Sequence, residues 1–351
     1  MKKRFDQWLF EEFRMSAEAL GLYRIFYALF VLFIFGLPDF SWIGGQPDYY
    51  FSPRLFSLAV VFPGFPPKTF FLALNILTAL WLILILIGWH TRKASVLFSL
   101  TVILAKSFSY AFGKIDHDIL LWSLPLFMAF SGWGEAFSVD RAVHQRKYGG
   151  PKQTQGWPVA MLAFVLGFGM FTAFLPKLMG GWMSPATQAA QAHHAFNYHV
   201  IGRHDFLAEA AMKMSSKWIW EFQDWFTLLF EGAFVFAIWK LSRLRPLLLV
   251  TLVFHLMVML VLNIPFLANL ALYALFLPWQ DFAKDLKAIP INLPLLPSAG
   301  LALLATAVSV WLTWPWSLHG RSAWWDLIVL ALALCTGVGV AIHYRFRKTT
   351  A

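Results

Sequence analysis

The chain has 351 residues, of which 59% are hydrophobic, 18% aromatic and 13% charged, about half the charged share usual in soluble proteins. That composition excludes a soluble enzyme and a disordered chain, and the single cysteine, Cys335, excludes a disulfide scaffold. The net charge of +10, from 28 Lys and Arg against 18 Asp and Glu, reflects membrane orientation here, and no nucleic-acid partner is expected.

Apolar runs of roughly 18–22 residues recur, each long enough to cross ~30 Å of hydrocarbon. The expected fold is all-α: a polytopic integral membrane bundle of about 8–10 transmembrane helices in contact with lipid. Residues 1–19 carry charges of both signs and read as an amphipathic cytoplasmic segment, with no cleaved leader expected. Spans are predicted at 20–37, 69–89, 94–112, 118–137, 157–176, 218–239, 246–262, 264–279, 294–316 and 323–343. The seventh and eighth form a tight pair about Asn263 and Pro265, so a re-entrant hairpin is an alternative there. The piece 55–65, LFSLAVVFPGF, is too short to span and reads as interfacial. The connection 177–217 has an Ala-rich middle between Trp182 and Trp218, which predicts one or two helices along the outer surface or capping the bundle. With the N-terminus inside, 18 Lys and Arg fall in inner segments and 8 in outer ones. This bias predicts a multi-pass protein of the inner or plasma membrane with both termini cytoplasmic.

An ionisable side chain inside a span costs at least ~2.5–3.5 kcal/mol at its centre, so each needs a partner or a polar cavity. In the sixth span Glu221, Asp224 and Glu231 fall at about 0°, 300° and 280° around the helix, on one face. The third span carries Lys106 and Tyr110, the seventh carries His255 and ends at Asn263, the outer turn before the fourth holds Asp116, His117 and Asp118, and Lys177 closes the fifth. Their convergence on the outer half suggests an outward-facing intramembrane cavity.

Each of these residues also has a plainer reading. Glu221 reads as an interfacial charge facing water, and Arg24 as a snorkelling side chain reaching the inner headgroups. Asp224 and Glu231 would neutralise Lys106 or Lys177, His255 would bond a backbone carbonyl or Asn263, Asp116 or Asp118 would cap a helix, and Lys177 would be a boundary lysine. His193, His194, His199, His204 and Asp205 lie close together, but no HxxxH pair occurs. A water-exposed histidine-rich surface is expected, with no metal.

In order, the segments LGLYRIFYALFVLF, YYFSPRLF, GWHTR, DHDILLW, WGEAFSVDRAV, FTAFLPKLMGGW, LLFEGAFVF and FHLMVMLVLNIPF resemble the vitamin K-dependent gamma-carboxylase superfamily, specifically its bacterial HTTM (horizontally transferred transmembrane) branch. The resemblance covers roughly residues 18–282. It implies a transmembrane bundle over 20–282 with an outer segment at 178–217, followed at 283–351 by two additional spans and a basic tail. It also implies a vitamin K-like hydroquinone as cofactor, Lys177 as the base of the oxygenation step, His117 as an orienting histidine with Asp116 beside it, and Trp182, Glu231 and His255 in matching places. Phe174 or Leu175 stands where the family's lysine motif has glycine, and Pro176 where it has a second lysine.

The leading expectation is therefore an outward-facing cavity that binds a reduced quinone and supports proton abstraction, oxygenation or carboxylation. Lys177 and His117 would be catalytic, with Asp116, Lys106, Tyr110, Trp182, Asp224, Glu231, His255 and Asn263 lining the cavity. Whether the site turns over a substrate or only binds one stays open. A non-enzymatic accessory or lipid- and quinone-binding subunit for an extracytoplasmic protein or peptide is the alternative. An ion-coupled transporter using Asp224, Glu231 and Lys106 comes third, against the lack of an internal repeat.

Overall fold

The computed structural model describes residues 2–55, 57–112, 118–148, 153–288 and 322–349; the span expected at 294–316 lies outside them. In chain order the helices are α1 (Lys2–Gln7), α2 (Ala17–Leu29), α3 (Lys68–Ile87), α4 (Thr91–Ser109), α5 (Ile119–Met128), α6 (Val139–Tyr148), α7 (Trp157–Met179), α8 (Ala189–His199), α9 (Ala208–Met212), α10 (Lys217–Ala237), α11 (Leu241–Leu262), α12 (Leu267–Leu275), α13 (Trp279–Ala288) and α14 (Ala323–Thr349). No strand occurs among the described residues, in keeping with the all-helical class. Among the described residues six stretches are long and apolar enough to cross a membrane: Ala17–Phe35, Lys68–Ile87, Thr91–Phe112, Trp157–Met179, Leu241–Leu262 and Ala323–His343. By length and composition this is a multi-pass membrane protein. Helix α10 has the length, but its three acids keep it out of that set.

Two expected spans are shorter than predicted. The fourth is the ten-residue α5, about 15 Å long. It ends because the chain turns at Gly132, whose φ of 89° suits glycine, and Trp133 folds inward with its N–H on Ser131 Oγ at 3.2 Å. The eighth shrinks to the nine-residue α12, bounded by Asn263 in the left-handed region and Pro265 before it and by Pro278 after it. Beyond Pro278 the chain starts the separate helix α13, whose first turn carries Asp281.

The chain forms two compact units, one of residues 9–159 and 271–321, the other of residues 1–8, 160–270 and 322–351. In the first, α2 starts at Ser16, whose hydroxyl accepts the Ala19 N–H. Tyr23, Tyr27, Phe98, Trp122 and Trp133 are fully buried, and their polar atoms are satisfied: Tyr27 donates to the Leu121 carbonyl at 2.9 Å and Trp133 Nε1 to Ser95 Oγ at 3.2 Å. Arg24 does not snorkel. It is fully buried, and its guanidinium donates to the carbonyls of Ile85, Leu86, Trp133 and Phe137. Two of these are end carbonyls of α3, of which Ile85 also accepts the Gly88 N–H at 3.1 Å and Leu86 has no donor within the helix. Beside it Gly88, at φ 70°, ends α3, and the Asp140 carboxylate takes the N–H groups of His90 and Thr91 and the Thr91 hydroxyl, each at 2.7 Å, at the start of α4. The start of α2, the α3–α4 turn and residues 133–140 are thereby tied at one end of this unit.

In the second unit α7 meets α10 at two close approaches. A Cβ on Gly167 would stand 2.7 Å from Ile238 Cγ2, and one on Gly232 would stand 3.2 Å from Phe174. Phe226 and Phe230 of α10 stack toward Phe254 of α11, and α14 lies against α11, where a Cβ on Gly337 would stand 2.8 Å from Leu249. Helix α10 turns Trp220, Glu221, Asp224, Leu228, Glu231 and Phe234 inward and leaves Trp218, Phe222, Leu229 and Phe236 exposed. Acids inside and apolar side chains outside invert the soluble pattern, as a lipid-facing helix requires.

Candidate functional site

The face predicted for α10 is present, and its three acids have three different surroundings. Glu231 accepts the Lys177 ammonium through Oε1, and its Oε2 is buried with no hydrogen-bond partner among the described residues. Lys177 sits at the C-terminal end of α7, where a cation complements the helix dipole, and its ammonium lies 5.2 Å from the centroid of the Trp182 ring. Lysine, glutamate and tryptophan thus meet as the sequence suggested, in the plainer form of an ion pair.

Asp224, one turn after Trp220, pairs with no lysine among the described residues. It is fully buried and accepts the N–H groups of Ala189 and Ala190, at 3.0 and 2.7 Å, so it holds the start of α8 against α10. This overturns the expected ion pair; the reason is that the first N–H groups of α8 have no partner within their own helix. Glu221 is no water-facing charge either: it is 5% exposed, and neither carboxylate oxygen takes a hydrogen bond from the described residues.

Lys106 belongs to the other unit and pairs with Asp118. The same carboxylate accepts the Tyr110 hydroxyl at 2.9 Å and Trp122 Nε1 at 3.2 Å, so Asp118 knits α4 to α5 and its side chain caps no helix. Asp116 and His117 lie outside the described residues. His255 is buried and stacks on Phe266 with ring centroids 4.2 Å apart at 15°. Asn263 bonds Asp205, a partner that sequence reasoning did not assign to it.

The 177–217 connection forms α8 and α9, within the expected one or two helices. Its histidines do not all face water. His194 is 1% exposed, with Nε2 donating to the Ala208 carbonyl at 3.0 Å, its ring stacked on Trp220 at 5.8 Å, and Nδ1 buried with no hydrogen-bond partner among the described residues. Burial holds its imidazole below the usual histidine range; the Ala208 bond opposes that shift and His199 adds to it. The sequence signal was slight: His194 and Asn197, three apart on one helical face, are both buried. An open cleft of about 450 Å³ lies beside them, lined by Thr187, Gln188, Gln191, Ala195, Met212 and Trp220. Among the described residues, none of those proposed from the sequence as catalytic or cavity-lining borders this cleft.

No protein-family model, curated protein or solved structure matches this chain.

Proposed function

We propose that the chain is an HTTM-like protein of the inner or plasma membrane, with cytoplasmic termini, in which Lys177 and Glu231 hold the hydroxyl end of a lipid-soluble quinone-like ligand and handle its proton. The observation that carries this reading is Glu231 Oε2, a buried acceptor with no donor among the described residues, beside an ammonium. Such an oxygen suits a ligand that brings an O–H, and the Trp182 ring next to Lys177 suits a flat apolar body. When bound, a reduced quinone supplies an ionisable ring hydroxyl and two electrons.

Lys177 accepts a proton only as the free amine. Because Glu231 holds the ammonium, the two side chains act as one proton-handling unit: when the proton rests on the carboxyl, the amine is free to take another. His117 remains the proposed orienter, with Asp116 beside it, by resemblance. His255 and Asn263 are assigned to supporting roles, and Asp224, Lys106 and Tyr110 to holding helices. The orientation is supported by the Arg24 knot, which gathers segments flanked by Arg14, Arg92, Lys93 and Arg141 at one end of their unit.

The test is binding of a short-chain hydroquinone to the purified protein, together with mass spectrometry of lipid-soluble molecules that copurify. The reading expects wild type to bind and K177A and E231Q to lose at least about tenfold, the order of one buried hydrogen bond to a charged group. Equal binding by all three proteins removes it. The exposed Phe196, Val200 and Ile201 at the C-terminal end of α8 favour the second reading, a non-enzymatic subunit for an extracytoplasmic partner. A stable protein partner in native mass spectrometry, with no small molecule bound, would select that reading.

A further inference from the structure

The interior of the second unit holds a titratable group that the proposed proton chemistry does not use. His194 stands in the middle of α8 and reaches two neighbouring helices: Nε2 donates to the Ala208 carbonyl at the start of α9, and its ring stacks on Trp220 of α10. Trp220 also forms part of the cleft wall, as do Gln191 and Ala195 on either side of His194 along α8. The ring carries its hydrogen on Nε2, because Nε2 meets a carbonyl. Nδ1 is buried and has no hydrogen-bond partner among the described residues. A proton added there would be an N–H with no acceptor on a buried charged ring, a cost that the cation–π attraction of the Trp220 ring offsets only in part.

We propose that His194 is an acid-released latch: neutral, it fastens α8 to α9 and α10 and fixes the cleft; protonated, it lets α8 lift away.

The groups around it leave this response to His194. On α8 itself, His199 is a like charge when protonated, Tyr198 packs its ring against His204, and His193 contacts Asn197. In the loop after α8, Arg203 is held by Asn197 and Asp205 by Asn263. On α9, Glu209 and Lys213 pair with each other in solvent. On α10, Asp224 is bound to the start of α8 and Glu221 is buried, and on α11 His255 stacks on Phe266.

Burial sets the sign, placing the folded value below the ordinary value of about 6.5. The latch is therefore fully closed above about pH 6.5 and loses its hold as pH falls from there toward the folded value. Across that window the open form gains about tenfold per pH unit, one proton being taken up on opening.

The experiment is hydrogen–deuterium exchange on the full chain in detergent, corrected for the intrinsic pH dependence of exchange and read on peptides that cover residues 189–199 and 208–212. Wild type is expected to lose protection there reversibly between about pH 7 and pH 5. H194Q keeps an amide donor for the Ala208 carbonyl but cannot titrate, and is expected to give a flat profile. H199Q and H204Q should retain the transition. A transition that persists in H194Q, or wild-type protection that does not change with pH, overturns the latch. Should H194Q not fold, exchange of the His194 ring C–H in wild type reads its titration directly. A midpoint at or above about 6.5 then overturns the proposal and a lower one supports it.

Discussion

Glu231 gives one carboxylate oxygen to the Lys177 ammonium and keeps the other buried, with no hydrogen bond from the described residues. The pair is asymmetric in exposure as well, with 24% of the lysine side chain and 6% of the glutamate side chain accessible. Most of the desolvation cost therefore falls on the acid, and removing the lysine should be felt as an unpaired buried carboxyl. K177M is expected to lose about 3 kcal/mol of stability, and the double variant K177M/E231Q to recover most of that loss. Thermal unfolding in detergent measures both. A K177M protein as stable as wild type would mean that the pair contributes nothing to folding, and would return Lys177 to a plain boundary lysine.

A second prediction separates two accounts of Arg24. A snorkelling arginine tolerates lysine, because only the charge and the reach matter. An arginine that donates to the carbonyls of Ile85, Leu86, Trp133 and Phe137 does not, because an ammonium lacks the flat fork and cannot serve four oxygens on two segments. R24K should therefore cost about 2–3 kcal/mol, with R24A at least as damaging, since each leaves buried carbonyls without donors. Recovery of folded R24K at wild-type yield and melting temperature would rule out the clamp.

Arg24 also marks where sequence reading reaches its limit. The six long apolar helices were legible because a membrane demands length and apolarity, both of which can be counted along a chain. The inward face of α10 was legible because 100° per residue fixes it. The shortening of the fourth and eighth spans was not, since it depends on Gly132 and Asn263 taking positive φ values that apolar counting does not register. The partners of Arg24, Asp224 and Asp118 were equally hidden: two of these three bind backbone groups far along the chain, and a backbone carbonyl or N–H leaves no mark in the residue string. Two of the segments read from the sequence as family motifs, GWHTR and WGEAFSVDRAV, have an architectural role here, as the turn and the cap around Arg24.

That role gives a third prediction. The Asp140 carboxylate accepts two N–H groups and a hydroxyl at the start of α4, where an anion also meets the helix dipole. D140N keeps one acceptor oxygen and should cost about 1 kcal/mol, D140A about 2 kcal/mol. G88A is expected to be as severe as D140A, since Gly88 sits at φ 70° and an added Cβ would collide with Ser138 and the Arg24 guanidinium. Chemical denaturation of the detergent-solubilised variants ranks them, and an unchanged D140A would show that α4 needs no cap.

The last prediction concerns Asp224, which the transporter alternative would use as an ion-coupling acid. In the structure its two oxygens are taken by the Ala189 and Ala190 N–H groups, so its work is to start α8 and hold it against α10. A carboxamide offers one acceptor where the carboxylate offers two. D224N should therefore lose about 1 kcal/mol, and the loss should be local: faster exchange at residues 189–192, with the α3–α4 turn and the Arg24 knot unchanged. Hydrogen exchange resolved by peptide separates a local effect from a global one. Should D224N leave exchange at 189–192 as in wild type, Asp224 would be free of its capping duty, and a role in moving ions would regain its footing; loss confined to the start of α8 assigns the residue to architecture and leaves the Lys177–Glu231 pair to carry the chemistry of α10.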